Sequence, residues 1–167
     1  EVKNAVVGLA ESLTVGIGEN NAELTPVISH DQQQQILAMI AKARQEGANI
    51  LTGGHAADLS GYFVLPTIIE ASPEMSIAQQ EVFGPVMVIM PFETEDEAVA
   101  IANGTDFGLV AGVFGENLNQ TLRVANRLVA GQVFINEWFA GGIETPFGGV
   151  GLSGFGREKG QEAIFSY

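Results

Sequence analysis

Between residues 86 and 135, apolar runs alternate with helix signals, and this alternation restricts the fold more than any other feature of the 167-residue chain. Residues 86–92 read as a buried strand, and Thr94 with Glu97 forms a capping box for a helix over 98–102 that Asn103-Gly104 ends. Residues 109–114 read as a second strand. Asn117 or Asn119 starts a helix through Leu122, Ala125 and Leu128, Gly131 stops it, and 133–135 is a third strand. Apolar strands separated by helices predict an α/β fold, a right-handed, mostly parallel sheet with flanking helices.

Upstream, Val2, Ala5, Val6, Leu9, Ala10 and Leu13 mark one face of a helix already under way at the first residue with no N-cap before it. That entry is expected of a segment of a longer polypeptide. Ser29 is a plausible N-cap for a helix through Ile36, Leu37, Ile40 and Ala43, closed by Gly47. Residues 49–52 and 62–69 read as strands, with Pro66 suggesting an edge or a bulge. The length suits one domain, and 46% apolar against 16% charged residues predicts a folded chain rather than a disordered one.

Charge narrows the partners. The net charge is -13, and between Arg44 and Arg123 eleven carboxylates occur without one Lys or Arg. Nucleic acid and anionic membranes are therefore not expected partners. The apolar run at 86–92 is far shorter than the roughly 20 residues that cross a bilayer, and residues 1–13 lack the basic head of a signal peptide. Elimination leaves a cytoplasmic location. The absence of Cys removes disulfides, thiolate metal sites and thiol nucleophiles. His30 and His55 have no partners at metal-ligand spacing, so no metal is expected.

After residue 136 the alternation stops, and eight glycines fall between Gly141 and Gly160. In open parallel sheets ligands sit in loops beyond the carboxyl ends of strands, which makes this loop the best functional candidate. Its literal G-x-G-x-x-G, from Gly149 to Gly154, is not a dinucleotide fingerprint. The preceding strand ends too early, and the chain stops before the required acid could appear. Ser153 lacks a G-x-S-x-G context.

Two other segments carry possible chemistry. A carboxylate such as Glu81 can accept hydrogen bonds from the vicinal hydroxyls of a ribose, and the face of Phe83 can pack on a flat ring. Composition alone reads Glu81 as solvated and Phe83 as core. Pro146 and its neighbouring glycines fix the backbone and project Phe147, which reads equally as core. Arg157 and Glu158 read as a first-turn pair of the last helix.

Taken together, Glu81-Val82-Phe83-Gly84-Pro85-Val86, Asn136, Pro146-Phe147-Gly148-Gly149 and Ser153-Gly154-Phe155-Gly156-Arg157-Glu158 resemble the aldehyde dehydrogenase superfamily in order and spacing. The resemblance covers essentially the whole chain. It implies a single partial catalytic domain over residues 1–167, the C-terminal part of the family's catalytic domain. The Rossmann-type NAD(P)-binding domain, the nucleophilic cysteine and the general-base glutamate lie earlier, so no catalytic residue is expected in this chain.

The implied chemistry is oxidation of a small-molecule aldehyde to an acid through a cysteine thiohemiacetal and thioester, with NAD or NADP as cofactor. By resemblance, Glu81 holds the nicotinamide ribose hydroxyls, Phe83 lies beside the nicotinamide, and Phe147 lines the aldehyde tunnel. Implied partners are the missing N-terminal half of the polypeptide and further subunits, as a dimer or tetramer. Val150 and Gly151 depart from the aromatic and Lys that many members carry there.

No Lys, Arg or His lies between Arg127 and Arg157, while Trp138, Phe139 and Phe147 stand near Glu137 and Glu144. This favours a neutral or cationic aldehyde. The isolated chain, lacking a thiol, is expected to oxidise nothing. Two alternatives remain: a non-catalytic α/β binding or assembly module, and a member of the same superfamily that releases the acyl group to CoA or phosphate.

Overall fold

The computed structural model describes residues 1–166. The chain divides into two compact units, Glu1–Pro91 and Phe92–Tyr167.

In the first unit α1 (Val2–Ser12) starts behind Glu1 without a side-chain cap. Helix α2 (His30–Gln45) begins where Ser29 Oγ accepts the Gln32 N–H at 3.1 Å. Such a cap satisfies one orphan helix donor and contributes about 1 kcal/mol. Strands β1 (Asn49–Thr52) and β2 (Thr67–Glu70) pair antiparallel, with a register shift between Ile50 and Thr52. After the single-turn helix α3 (Ser76–Gln79), β3 (Val86–Ile89) adds parallel to β2, giving the order β1-β2-β3.

The predicted strand at 62–69 is shorter than expected and central rather than at an edge. Pro66 explains the shortening, because it stands just before β2, where its missing N–H removes no ladder bond. One face of α2 supplies the core: Ile36 and Ile40 pack with Ile69 of β2, all at most 1% exposed. Each such side chain contributes about 1.5–3 kcal/mol by leaving water. Gln33 is buried on the same helix, and its Nε2 donates to Phe63 O at 2.9 Å, which removes the desolvation penalty.

In the second unit α4 (Glu95–Ala102) has the predicted cap, with Thr94 Oγ1 accepting the Glu97 N–H at 3.1 Å. The return bond goes one residue further back than in a regular box: Glu93 N–H donates to Glu97 Oε2 at 2.8 Å. Strands β4 (Phe107–Gly108) and β5 (Val110–Val113) precede α5 (Leu118–Ala125), whose cap is Asn117. After α5, β6 (Gln132–Ile135) pairs parallel with β5, register Val110↔Gln132 to Val113↔Ile135. Arg123 binds Glu95 through two nitrogens, at 2.6 and 3.3 Å, and ties α5 to α4.

Of the alternation expected over residues 86–135, β5 and β6 form the parallel pair, whereas β3 runs parallel to β2 in the three-stranded sheet and does not pair with β5. The antiparallel pair β4-β7 was not expected: β7 (Val150–Gly151) lies on β4 with Phe107 opposite Gly151. It folds the glycine-rich segment back onto its own unit. No helix among the described residues is long and apolar enough to cross a membrane.

Candidate functional site

Glu81 and Phe83 lie in the loop between α3 and β3 of the first unit. Phe83 has φ 47° and its side chain is 72% exposed, so the core assignment from composition is wrong. The reason lies in the next residue. A Cβ at Gly84 would overlap Ile36 Cδ1, so the backbone just after Phe83 lies against the Ile36 side chain of α2. The chain turns through the left-handed region, at a cost of about 1–2 kcal/mol for a residue other than Gly, and presents Phe83 outward. Gln32 Nε2 donates to Phe83 O at 3.0 Å. The Glu81 side chain is exposed, and among the described residues no hydrogen bond or ion pair engages its carboxylate.

Phe147 lies in the second unit, where several bonds fix the Pro146-Phe147-Gly148-Gly149 segment. Phe147 and Glu158 exchange two backbone hydrogen bonds of 2.7 Å. Gln132 Nε2 donates to Pro146 O at 2.7 Å, and Arg157 Nη1 donates to Gly149 O at 2.8 Å and to Gly156 O at 2.9 Å. Arg157 and Glu158 are therefore not a helix first turn, and the final 3₁₀ segment begins only at Gln161. The half-buried Phe147 borders an open cleft of about 670 Å³ together with Leu109, Arg157, Glu158 and Lys159. Phe139 stands 6.2 Å from it ring to ring and continues to Trp138 at 5.4 Å, edge to face.

Lys159 was missed in sequence because it lies just outside the cation-free window. Its φ is 58°, and its Nζ stands 5.8 Å from the Phe147 ring centroid. The surroundings of Phe147 therefore hold a cation, which removes the charge argument for a neutral or cationic substrate. The Glu144 carboxyl is held below the usual carboxylate range by its own backbone N–H and that of Gly142, with a smaller pull from Lys159. The pairing of residue 147 with residue 158 is what brings Lys159 to the ring, and no local pattern signals it.

The remaining candidates have structural partners. His55 Nδ1 lies 3.0 Å from Gly53 O, and the His30 ring meets Tyr62 edge-on. Ser153 Oγ accepts the Gly108 N–H at 3.0 Å. No helix opens at Gly154, so the G-x-G-x-x-G match is not a dinucleotide turn. Among the described residues no three His, Asp or Glu side chains group to hold a metal ion.

Fold and motifs agree with one family. The model of the aldehyde dehydrogenase family matches residues 1–167, and the chain belongs to that family. It is 47% identical over 146 residues to a betaine aldehyde dehydrogenase of Cereibacter sphaeroides, covering 87% of this chain and 30% of that protein. A betaine aldehyde dehydrogenase of Vibrio vulnificus is 42% identical over 163 residues, 94% of this chain and 34% of the relative. Among solved structures, the Staphylococcus aureus betaine aldehyde dehydrogenase in complex with NAD+ superimposes with TM-score 0.93 at 37% identity, covering 99% of this chain and 34% of that one. An aldehyde dehydrogenase from Bacillus cereus gives TM-score 0.94 at 39% identity, with 99% and 34% covered. The chain spans about a third of the length of these relatives.

Proposed function

We propose that the chain is the C-terminal part of the catalytic domain of an NAD(P)-dependent aldehyde dehydrogenase that oxidises a small aldehyde to its acid. In this reading both units belong to one partial catalytic domain. The Rossmann-type cofactor domain and the nucleophilic cysteine belong to the rest of the polypeptide. The observation that carries it is Phe83, presented outward from a strained backbone two residues after an uncommitted carboxylate. Family membership and the NAD+ complex of the staphylococcal relative support it.

Glu81 would accept hydrogen bonds from two vicinal ribose hydroxyls, and Phe83 would pack flat against the nicotinamide. When bound, that ring supplies a hydride acceptor. Phe147, held by Glu158, Gln132 and Arg157, would line the aldehyde tunnel, orient the carbonyl and keep bulk water from it. The chain contains no Cys, so the thiohemiacetal and thioester would form on a thiol from outside it, and the isolated chain would be inactive. Assembly as a dimer or tetramer in the cytoplasm belongs to the same reading.

The test is product analysis with the complete protein. Equal amounts of NADH or NADPH and carboxylic acid are expected from aldehyde, water and NAD(P)+ without added CoA or phosphate. Turnover only when CoA or phosphate is supplied would replace the reading with the acylating one. No reduced cofactor under any condition would leave the non-catalytic module.

A further inference from the structure

We propose that Gln32 is a positioning residue for the cofactor end of the site, its side-chain amide holding Phe83 in the left-handed conformation that aims the ring. The proposal rests on the reading of residues 81–83 as the cofactor loop. Gln32 stands three residues after the N-cap Ser29, the place where a capping box puts a Gln that reaches back to the cap. Its Nε2 instead crosses to the loop and meets Phe83 O at 3.0 Å and Val82 O at 3.5 Å. These are the two carbonyls that flank the unusual φ of Phe83.

A second constraint converges on the same turn. Gly84 lies against Ile36, which sits one helical turn after Gln32 on α2. One face of α2 therefore both supports the loop from beneath and binds its carbonyls at the rim. A Phe with its ring in water gains nothing from burial that would favour φ 47°. The amide contact is a directional interaction that does. Beyond the turn, the loop joins the sheet through Thr67 N–H to Pro85 O at 2.9 Å. A loosened Phe83 therefore disturbs the start of β3 before it disturbs the core.

Gln32→Glu separates this role from helix stability. The substitution keeps size and shape, places a negative charge at a helix N-terminus where it is favourable, and removes the donor facing two carbonyls. In the complete protein the expected result is a KM for NAD+ raised about tenfold, the worth of one hydrogen bond to a positioned group. The kcat should change by less than about twofold, with Tm no lower than wild type. Amide exchange at Thr67 and Val86 should be faster without cofactor. Gln32→Met, uncharged and similar in size, gives the same readouts if the charged variant folds poorly.

Unchanged exchange in both variants overturns the clamp, whatever the activity of the wild type. Faster exchange with an unchanged KM overturns the cofactor role of the loop and the proposal with it. A lower Tm with lower kcat and no change in KM identifies a merely structural residue and also overturns it. Wild-type protein that forms no NADH overturns the underlying reading directly.

Discussion

Gly131 and Gly148 meet backbone to backbone: a Cβ placed on Gly131 would lie inside the van der Waals envelope of Gly148 O. Gly131 joins the end of α5 to β6, and Gly148 follows Phe147, so this contact sets how closely the glycine-rich loop approaches the parallel strand pair. Gly131→Ala should cost about 1–3 kcal/mol, the usual penalty of overpacking a close approach. Chemical denaturation measures it, and a loss below about 0.5 kcal/mol would mean that the backbones can separate without strain.

Asn136 fastens the end of the same strand pair. With φ 54° it accepts the Gly115 N–H on Oδ1 at 2.8 Å and donates from Nδ2 to Gly115 O at 2.9 Å. Asn136→Ala loses both bonds and leaves a Cβ in the left-handed region, for an expected destabilisation of about 2–3 kcal/mol. Asn136→Gly, which relieves the backbone only, should fall between this variant and wild type. Equal Tm values for all three proteins would contradict the assignment.

Acid should weaken the fold through identifiable carboxylates. Arg123 holds the Glu95 carboxyl below its ordinary value of 4.5, and Ser76 and Thr14, through N–H and hydroxyl donors, do the same for Glu46 and Glu23. A carboxyl depressed in the folded state contributes stability that is present above the unfolded value and is lost as pH falls through the lower folded value. Tm should therefore hold above the ordinary value of 4.5 and decline below it, with a shallower decline in Glu95→Gln. An identical pH profile for the variant would count against the Glu95–Arg123 pair as a contributor.

Site substitutions should divide by ligand. In the complete protein Phe147→Ala is expected to raise the KM for aldehyde about tenfold or more while leaving the KM for NAD+ near wild type if, as proposed, Phe147 lines the aldehyde tunnel. Glu81→Gln should do the reverse, raising the KM for NAD+ about tenfold through the loss of a charged acceptor. Steady-state kinetics with each substrate varied in turn measures both, and a shared effect on the two constants would contradict the division.

What could be read from sequence followed how local its cause is. Ser29, Thr94 and Asn117 each satisfy a donor within their own first turn, so the helix starts were legible, and the apolar runs at β3, β5 and β6 carried their own signal. The outward turn of Phe83 depends on Ile36 and Gln32, about fifty residues away in the chain. The position of Lys159 beside Phe147 depends on a bridge between residues 147 and 158, which no periodicity marks. Glu81 and Phe147 were found as site candidates because a family pattern names them; residue chemistry alone read Glu81 as solvated and left Phe147 equally a core residue.

The central claim is that this chain supplies walls of an aldehyde-oxidising site and not its nucleophile. Its most direct test is NADH formation from an aldehyde and NAD+, followed side by side for the complete polypeptide and for the purified 167-residue chain. Sustained NADH production is expected from the complete protein and none from the chain alone. Turnover by the isolated chain, or its absence from the complete protein, would contradict it.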